Sequence, residues 1–338
     1  MNLYGLTKEE LEQYFVSIGE KKFKATQVFE WLYQKRVTTI EEFSNIKKEV
    51  REQLQKDFSL ELPKVIKREI DIDVEKYLFE LSDNERIEAV LMRHNYGLSV
   101  CVSSQVGCNM GCKFCESGRL KKVRNLEAHE MVGQILVIES LVKERISSVV
   151  IMGIGEPLDN YENVIRFIKI INDAKGIQIG ARHITLSTCG LIPKIKELSE
   201  LDIQINLAIS LHAPNDHLRS EIMPINKAYP LQELMETIKE YIKKTNRRVT
   251  MEYILLKGVN DQKKHAKELA NLLRGMNVYV NLIPYNETNH IEFQKSDKET
   301  IDAFYRELQK EKIQVTVRRE FGSSISAACG QLRSKEIK

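Results

Sequence analysis

From residue 97 onward the chain alternates apolar segments of strand length with amphipathic segments of helix length. The predicted strands are short and apolar, and they lie at 97–103, 148–153, 184–188, 204–210, 249–256, 278–283 and 314–318. The predicted helices repeat apolar residues every three or four positions, and they lie at 126–143, 160–174, 231–245 and 263–276. Repeated strand–helix units indicate a parallel sheet, and six or more of them favour a complete or partial barrel. The sequence therefore predicts an α/β fold built on a barrel-like sheet.

The part of the chain before the barrel has two different patterns. Residues 1–62 repeat apolar residues at helical spacing, and Thr7 is predicted to cap the first helix, ahead of its acidic first turn. Residues 63–93 alternate apolar and polar residues on both sides of the Asp83-Asn84 turn, as in a β-hairpin. The predicted domains are an N-terminal helical accessory module at 1–62, a short β-hairpin linker at 63–93, a core at 94–328 and a C-terminal tail at 329–338.

The composition is that of a globular protein, with 338 residues and a net charge of only +3. No segment of about 18 apolar residues is present, and the first residues lead into a charged helical pattern rather than a signal peptide. Six cysteines, three of them clustered, are more typical of metal or catalytic thiols in a reducing compartment than of a disulfide scaffold. These features predict a cytoplasmic protein without a membrane partner.

Polar or glycine-rich motifs follow several of the predicted strands. They are Gly153-Ile154-Gly155-Glu156-Pro157, Ser187-Thr188-Cys189-Gly190, Ser210-Leu211-His212 and Pro284-Tyr285-Asn286. In a barrel the active site gathers at the carboxyl ends of the strands. Gly153 and Gly155 allow a ligand to approach the backbone, and Glu156 can accept a hydrogen bond from an amine or a ribose. Each motif alone is compatible with a turn, and His212 with a structural histidine, but their repetition predicts a cofactor pocket.

Three cysteines follow the first barrel strand within a short segment: Cys108, Cys112 and Cys115. Three thiolates can bind an iron–sulfur cluster while one iron keeps no protein ligand, whereas simple electron carriers usually supply four. That iron is then open to chemistry. Zinc is the alternative, but it normally requires a fourth Cys or His, and the nearest histidines are His94 and His129. The spacing therefore favours a cluster with an open coordination site.

Two basic segments flank these candidate reactive groups. The first contains Lys113, Arg119, Lys121, Lys122 and Arg124, and the second contains Arg318, Arg319, Arg333, Lys335 and Lys338. A run of charges is often only a solvated face. Because the net charge is small, any nucleic-acid surface must be local, and these segments are the candidates for it.

Several motifs together resemble a known family. The Cys-x3-Cys-x2-Cys spacing is similar to that of the radical S-adenosylmethionine (radical SAM) enzymes, in which the cofactor's amine and carboxylate occupy the open iron. Five segments resemble the RlmN/Cfr family of radical methyl synthases, which methylate adenine in RNA: Cys101–Cys108, Gly153–Pro157, Ser210–Asp216, Met223–Asn226 and Ala328–Leu332. The resemblance covers nearly the whole chain, and Phe29–Leu32 and Arg318–Phe321 are more similar to RlmN than to Cfr. It implies a partial (β/α)6-type radical SAM barrel.

The resemblance also implies roles for individual residues. Cys108, Cys112 and Cys115 would hold one [4Fe-4S] cluster per chain. S-adenosyl-L-methionine, used twice per turnover, would be bound by Gly155, Glu156, Ser187, Ser210, Leu211, His212 and Asn286. Cys329 would carry the methyl group, Cys101 would be the resolving thiol, and Glu88 would be the proton acceptor.

The implied substrates are an adenine of 23S rRNA near the peptidyl-transferase centre and an adenine in the tRNA anticodon loop, each methylated at carbon 2. The implied partners are these RNAs and an electron donor such as flavodoxin or ferredoxin, with the enzyme acting as a monomer. Three alternatives remain open from the sequence. They are a Cfr-like enzyme acting on carbon 8, a radical enzyme with another RNA target, and a non-catalytic iron–sulfur or zinc protein that binds RNA.

The implied chemistry gives a reason for two isolated cysteines. Carbon 2 of adenine is electron-poor, so direct polar methyl transfer to the ring should fail. In the implied route Cys329 is first methylated, a radical then removes hydrogen from that methyl group, and the sulfur-bound methylene adds to the ring. After the adduct has lost a proton and an electron, Cys101 attacks the Cys329 sulfur, which releases the methylated base and leaves a transient disulfide. The simpler alternative is that Cys101 is a buried strand cysteine, the interpretation we adopt for Cys189.

Two segments depart from the family pattern. Glu116-Ser117-Gly118 stands where small uncharged residues are usual, directly after Cys115, and Ser323-Ser324-Ile325-Ser326 replaces an acidic run before Cys329. Both segments lie beside reactive positions. They are expected to affect substrate identity and rate more than the class of reaction.

Overall fold

The computed structural model of the protein describes residues 1–288, 290–318 and 325–332. Its N-terminal part is helical, with α1 at Lys8–Ser17, α2 at Phe23–Phe29 followed by a π-helical turn, and α3 at Lys48–Asp57. The predicted cap at Thr7 is confirmed, because its hydroxyl accepts a hydrogen bond from the Glu10 backbone N–H while the Glu10 carboxylate accepts one from the Thr7 backbone N–H.

One sheet of ten strands organises the rest of the described chain. Its first strands are antiparallel: β1 (Lys64–Ile70), β2 (Val74–Glu80), β3 (Arg86–His94) and β4 (Gly97–Val102). Two short strands, β5 (Gln105–Val106) and β6 (Arg124–Asn125), form a separate pair. The sheet continues from β4 in parallel through β7 (Ile146–Ile151), β8 (Ile184–Thr188), β9 (Asn206–Ser210), β10 (Val249–Leu255), β11 (Val278–Pro284) and β12 (Val315–Val317).

Helices connect the parallel strands in sequence order. They are α4 (Ala128–Val142), α5 (Tyr161–Asn172), α6 (Ile192–Ser199), α7 (Asp216–Ile222), α8 (Leu231–Thr245), α9 (Lys263–Leu273) and α10 (Lys298–Lys310). The predicted α/β barrel is confirmed, and every predicted barrel strand lies within two residues of its observed ends. Among the described residues, no helix is long and apolar enough to span a membrane.

The segment predicted as a hairpin linker is larger than a hairpin. The β2–β3 hairpin is present, with Tyr77 opposite Ala89, but β1 adds a third strand and β3 pairs with β4 through Val90 and Cys101. The segment therefore extends the barrel sheet rather than separating two bodies. Strand β1 lies at the sheet edge and is mostly exposed, so its sequence lacks the apolar run that would reveal it.

The helical module packs directly on the barrel helices. Its apolar residues belong to one core that continues into the barrel, and Arg166 of α5 makes a two-pronged ion pair with Glu10 of α1. Arg36 makes a further ion pair with Glu139 of α4. The domain boundaries at residues 62 and 93 stay predictions, since the core is continuous across both.

Candidate active site

The three clustered cysteines lie in the loop after β5 and line one cavity at the carboxyl ends of the barrel strands. We call this space the cofactor cavity. Backbone hydrogen bonds shape the loop, from Cys108 N–H to the Leu120 carbonyl (3.0 Å) and from Cys115 N–H to the Cys112 carbonyl (3.2 Å). Gly118 packs so closely that a Cβ there would lie 2.8 Å from the Cys112 carbonyl oxygen. The loop therefore needs glycine at position 118.

The donor set of this loop fits an iron–sulfur cluster. Burial raises the pKa of the Cys108 thiol to about 12 and raises the pKa of the Cys115 thiol as well, so a strong cationic partner is needed to hold thiolates there. In the described ranges, no three Cys, His, Asp or Glu side chains converge on the position of a single metal ion. A cluster binds each thiolate through a separate iron, whereas zinc requires its ligands to converge.

Glu156 is fixed at the end of β7 by the neighbouring strand end. Its two carboxylate oxygens accept hydrogen bonds from the backbone N–H groups of Leu158 (3.0 Å) and Cys189 (2.8 Å). Burial raises the pKa of Glu156, while these hydrogen bonds oppose that rise. Gly155 has a φ of 110°, and a Cβ there would lie 2.6 Å from Cβ of Gln105. The backbone therefore requires glycine at position 155, and the binding of a cofactor by Gly155 and Glu156 stays a prediction.

His212 is held as a neutral donor beside the cluster loop. Its Nδ1 accepts a hydrogen bond from the Ile254 backbone N–H at 3.1 Å, and burial lowers the pKa of His212 to about 3. The ring proton of the neutral imidazole therefore lies on Nε2. Phe114, from the cysteine loop, packs edge-on against the ring, with 4.8 Å between the ring centroids. The structural and the functional interpretation of this histidine are both compatible with that geometry.

The structure brings together most of the predicted cofactor ligands. Gly155, Glu156, Ser187, Ser210 and His212 line the cofactor cavity with the three cysteines. Leu211 is fully buried and contributes its backbone, which bonds to Glu252 and Arg219. Asn286 does not line this cavity; it lies beside Cys329 and donates from Nδ2 to the Cys329 carbonyl at 3.4 Å.

Cys101 and Cys329 line a second cavity, which we call the thiol cavity. Cys101 is buried on β4, and Cys329 is half-buried in the C-terminal segment. Cys329 also lines the cofactor cavity, so its sulfur-bearing segment borders both spaces. Burial raises the pKa of the Cys101 thiol to about 12, an effect that Cys329 increases and Arg318 opposes. The two predicted redox thiols are therefore brought to one place.

Glu88 lies on the same face of the sheet as Cys101. It is two residues before Val90 on β3, and Val90 is directly opposite Cys101 on β4. The Glu88 carboxylate lies 3.8 Å from the ammonium of Lys76, and both side chains are buried. The Ser103 hydroxyl donates to the Glu88 carbonyl at 2.6 Å. These contacts fix the strand that carries Glu88 beside the thiol cavity.

Sequence reasoning missed Arg219, the largest fully buried polar side chain of the site. Its guanidinium donates to the backbone carbonyls of Leu211 (3.2 Å), Cys189 (2.6 Å) and Ser210 (3.2 Å), and to Oδ1 of Asn226 (2.8 Å). It thereby ties the ends of β8 and β9 together. The Met223-Pro-Ile-Asn226 motif was the available signal, since Asn226 serves as the side-chain acceptor for this guanidinium.

The second missed feature is a pair of opposite charges inside the cofactor cavity. Glu252 on β10 is buried and accepts a hydrogen bond from Nδ2 of Asn281 on β11 (2.9 Å). Burial raises the pKa of Glu252, and Arg318 opposes that rise. Arg318 lines both cavities, and its backbone N–H continues the pairing of β12 by donating to the Leu282 carbonyl. Its place in an RNA-facing basic rim stays a prediction.

The basic segment after the cluster is only partly available to a ligand. Lys122 pairs with Asp159 at 2.7 Å, and Arg124 pairs with both Asp83 (2.6 Å) and Glu130 (2.8 Å). Lys113, Arg119 and Lys121 are exposed. The remaining predicted basic residues, Arg319, Arg333, Lys335 and Lys338, lie outside the described residues.

The unusual Glu116-Ser117 segment joins the cluster loop to the C-terminal segment. The Glu116 backbone N–H donates to the Gly330 carbonyl (2.8 Å), and the Ser117 hydroxyl donates to the Leu332 carbonyl (2.8 Å). This segment therefore positions Cys329 from the cluster side. Of the other departure, Ser323 and Ser324 lie outside the described residues, whereas Ile325 packs beside Cys101 and Ser326 has a left-handed backbone.

A three-cysteine loop at the mouth of a partial parallel barrel defines a radical SAM enzyme. The family model of the radical SAM superfamily matches residues 102–270, and the model of a ribosomal RNA large subunit methyltransferase N-terminal domain matches residues 1–60. Enzymes of this superfamily use a [4Fe-4S] cluster and S-adenosyl-L-methionine. Two relatives, each named as a probable dual-specificity RNA methyltransferase RlmN, match this chain over nearly its full length. The protein of Enterococcus faecalis is 55% identical, and the match covers 100% of this chain and 97% of the relative. The protein of Spiroplasma citri is 52% identical, and the match covers 99% of this chain and 97% of the relative. The chain belongs to the RlmN family of radical SAM methyltransferases.

Solved structures agree with this assignment. A radical SAM methyltransferase from Sphaerobacter thermophilus superimposes with a TM-score of 0.93 at 40% identity, over 99% of this chain and 100% of that chain. Streptococcus suis SuiB bound to S-adenosylmethionine has a TM-score of 0.50 at 14% identity, over 68% of this chain and 55% of that chain. The second likeness concerns the fold alone.

Proposed function

We propose that the protein methylates carbon 2 of adenine in RNA, with 23S rRNA near the peptidyl-transferase centre and the tRNA anticodon loop as substrates. The observation that carries this proposal is the position of Cys329. It borders the cofactor cavity on one side and shares the thiol cavity with Cys101 on the other. A methyl-carrying thiol needs both neighbours, one for loading and activation and one for release.

The bound cluster and S-adenosyl-L-methionine would supply the methyl group that Cys329 carries and the radical that activates it. On the protein side, the three cysteines hold the cluster, while Glu156 and the Nε2 proton of His212 orient polar groups of the cofactor. Arg219 keeps the strand ends that carry these side chains in register. The apolar walls of the site, among them Met152 and Ile283, exclude water from the reactive sulfur.

Release of the product depends on the two thiols of the thiol cavity. Cys101 attacks the Cys329 sulfur as a thiolate, an S–S bond forms, and the bond between Cys329 and the methylene carbon breaks. The bonding electrons stay with the carbon, which takes up a proton. Because burial raises the pKa of Cys101, Arg318 has a specific task, since its positive charge stabilises the attacking thiolate. Glu88, on the same sheet face, is the proposed acceptor of the ring proton.

The RNA base must reach the thiol cavity unstacked, which favours loop substrates. We propose that the exposed Lys121 and the N-terminal module contact the surrounding RNA. The neighbouring Lys122 and Arg124 are instead held in ion pairs within the protein. Six free cysteines are compatible with a cytoplasmic location, and we propose a monomer reduced by flavodoxin or ferredoxin.

The test is an anaerobic assay with the reconstituted protein, methyl-labelled S-adenosyl-L-methionine and either a 23S rRNA fragment or tRNA. The RNA is digested and methylated adenosine is identified by mass spectrometry. We expect 2-methyladenosine from the native protein and none from Cys329→Ala, with cluster absorbance equal in both. Formation of 8-methyladenosine would reassign the reaction to carbon 8. Release of deoxyadenosine without methylated RNA would mean that another molecule is the substrate.

A further inference from the structure

A surface groove reaches the cluster loop at a place that neither Cys101 nor Cys329 lines. Its described lining includes Gly111, Cys112, Gly118, Val259, Ile291 and Phe293. Among the described residues that line either space, Cys112 alone lines both this groove and the cofactor cavity, and neither Cys101 nor Cys329 borders the groove. Cys112 is therefore the wall between the cluster site and this part of the surface.

The wall is thin because glycines stand on both sides of the cysteine. Gly111 precedes Cys112, and Gly118 packs against its backbone with no room for a Cβ. No side chain from either position can cover the loop. Because electron transfer slows steeply with distance, a thin wall here would let a protein donor come close to a cluster held by this loop.

The groove has an apolar floor and a predominantly basic rim. Val259, Ile291 and Phe293 are half-buried along it, while exposed Lys113, Arg119 and Lys257 face a single exposed carboxylate, Glu292. Arg119 also donates to the His290 carbonyl, which orients it along the rim. An apolar centre with a charged rim is the usual composition of a protein-binding surface, and the rim selects a partner of opposite charge.

The reaction itself requires a separate route for the electron. If an RNA base and S-adenosyl-L-methionine occupy the barrel mouth together, the reductant cannot use the same opening. A base seated in the groove would be separated from Cys329 by the cysteine loop. The geometry thus favours a reductant over RNA as the occupant.

We propose that this groove, bounded by Lys113, Arg119 and Lys257, is the docking surface for an acidic one-electron carrier protein. The inference rests on the proposed function, because it assumes a cluster that is reduced while RNA is bound. One electron passes from the reduced carrier, which is oxidised by one electron, to the cluster beside Cys112. The apolar floor receives the region around the carrier's exposed redox group, and the basic rim pairs with its carboxylates.

The experiment compares the reconstituted native protein with a Lys113→Glu/Lys257→Glu variant, using a reduced flavodoxin as the probe. Lys239→Glu, an exposed lysine on α8, is the control for a change of charge elsewhere. Direct binding of flavodoxin is measured by calorimetry at low and high salt. Product formation is measured with flavodoxin or with dithionite as reductant, RNA affinity is measured separately, and cluster content is checked by electron paramagnetic resonance.

We expect the double variant to bind flavodoxin at least about 10-fold more weakly at low salt, and the difference to shrink at about 1 M salt, where charges are screened within about 3 Å. Dithionite-driven yield and RNA affinity should stay within about 2-fold of the native values. Glu292→Lys should strengthen flavodoxin binding about 3-fold. Lys239→Glu should change none of these quantities.

Unchanged flavodoxin binding in the double variant would overturn the proposal. A loss of RNA affinity with intact flavodoxin binding would overturn it too, and would identify the groove as an RNA surface. The proposed function fails in a different way: the native protein would then give no methylated adenosine with dithionite, whatever flavodoxin does. The binding measurement and the dithionite assay therefore separate the two conclusions.

Discussion

The active site has two sides that hold their reactive groups in different ways. One is formed by the ends of the barrel strands and is called the strand-end side, and the other is the C-terminal segment. At the strand ends, Glu156, His212 and Arg219 are each fixed by hydrogen bonds to the backbone of neighbouring strands. In the C-terminal segment, 325–332, Cys329 lies on irregular backbone. That segment is joined to the barrel by a few single hydrogen bonds, such as those from Glu116 and Ser117.

The difference follows the task of each side. A cofactor that generates a radical must stay in one place, so its ligands belong on a sheet whose geometry cannot shift. In the proposed reaction the sulfur of Cys329 meets the cofactor, the base and then Cys101, and a strand residue could not change partners in this way. The position of Cys101 on β4 and of Cys329 on irregular backbone is the arrangement that this proposal requires, with one fixed thiol and one that changes partners.

The largest expected effects come from alanine substitution of the two thiols, one on each side of this comparison. Cys329→Ala and Cys101→Ala should both lower methylated product below detection, a loss of more than about 1,000-fold, because each removes a bond-forming sulfur. The two variants should differ in what happens to the RNA. Cys101→Ala should leave RNA covalently joined to Cys329, visible as a protein–RNA adduct on a denaturing gel, whereas Cys329→Ala should give none.

Equal behaviour of the two variants would contradict the assigned order of the thiols. In particular, an adduct in Cys329→Ala would mean that Cys101 carries the methyl group. Cluster iron content and absorbance serve as the control, because neither cysteine belongs to the cluster loop.

The buried cation of the strand-end side should matter more for stability than the cation beside the thiols. Arg219→Met should lower the free energy of unfolding by about 3–5 kcal/mol, because three backbone carbonyls lose their hydrogen bonds to the buried guanidinium. Arg318→Met should cost clearly less, while it slows thiol exchange between Cys101 and Cys329. Anaerobic denaturant titration measures the first effect, and the rate of disulfide formation measures the second. A larger stability loss from Arg318→Met would contradict the comparison.

Because His212 is neutral in the folded protein, the free energy of unfolding should depend on pH. Its pKa is lowered to about 3 in the folded protein, whereas the unfolded chain has the ordinary value near 6.5. Unfolding therefore takes up a proton below about pH 6.5, and stability is lost as pH falls from there toward 3. The loss should be about 1.4 kcal/mol per pH unit. His212→Asn, which tolerates the left-handed backbone at φ 57°, should remove this component.

The check is the difference in unfolding free energy between the native protein and His212→Asn, measured at pH 7.5 and pH 5.5. It should shrink by about 1.4 kcal/mol at the lower pH, since only the native side chain gains a proton on unfolding. A constant difference would mean that folding leaves the pKa of the histidine unchanged.

The parts of the site that were predictable from the sequence are those with a local pattern. The barrel strands show continuous apolar runs, and the cysteine spacing together with the Gly155-Glu156 and Ser210-Leu211-His212 motifs marks their ends. Such signals are visible because one strand end contributes several adjacent residues.

The missed features depend on residues that are distant in sequence. Arg219 looks like a surface charge of α7 until the carbonyls of β8 and β9 surround it, and Arg318 looks like part of a basic tail until β12 directs it inward. Strand β1 has an exposed edge pattern that no local rule distinguishes from a loop. Tertiary contacts decide these cases, so a single sequence could not reveal them.

Two serine hydroxyls allow a finer comparison, because the same chemical change can be made on each side. Ser117→Ala removes the hydrogen bond to the Leu332 carbonyl, worth about 1 kcal/mol, and should act on the C-terminal segment alone. Hydrogen exchange of the Gln331 amide, which is bonded to the Ala328 carbonyl, should then accelerate about 5-fold while global stability is unchanged. Ser103→Ala removes the donor to the Glu88 carbonyl and the acceptor for the Ile154 backbone N–H, both of which are buried, so it should lower global stability by about 1–3 kcal/mol. If Ser117→Ala instead destabilised the whole protein, the C-terminal segment would be as firmly built into the fold as the strand ends, and Cys329 could not change partners as proposed.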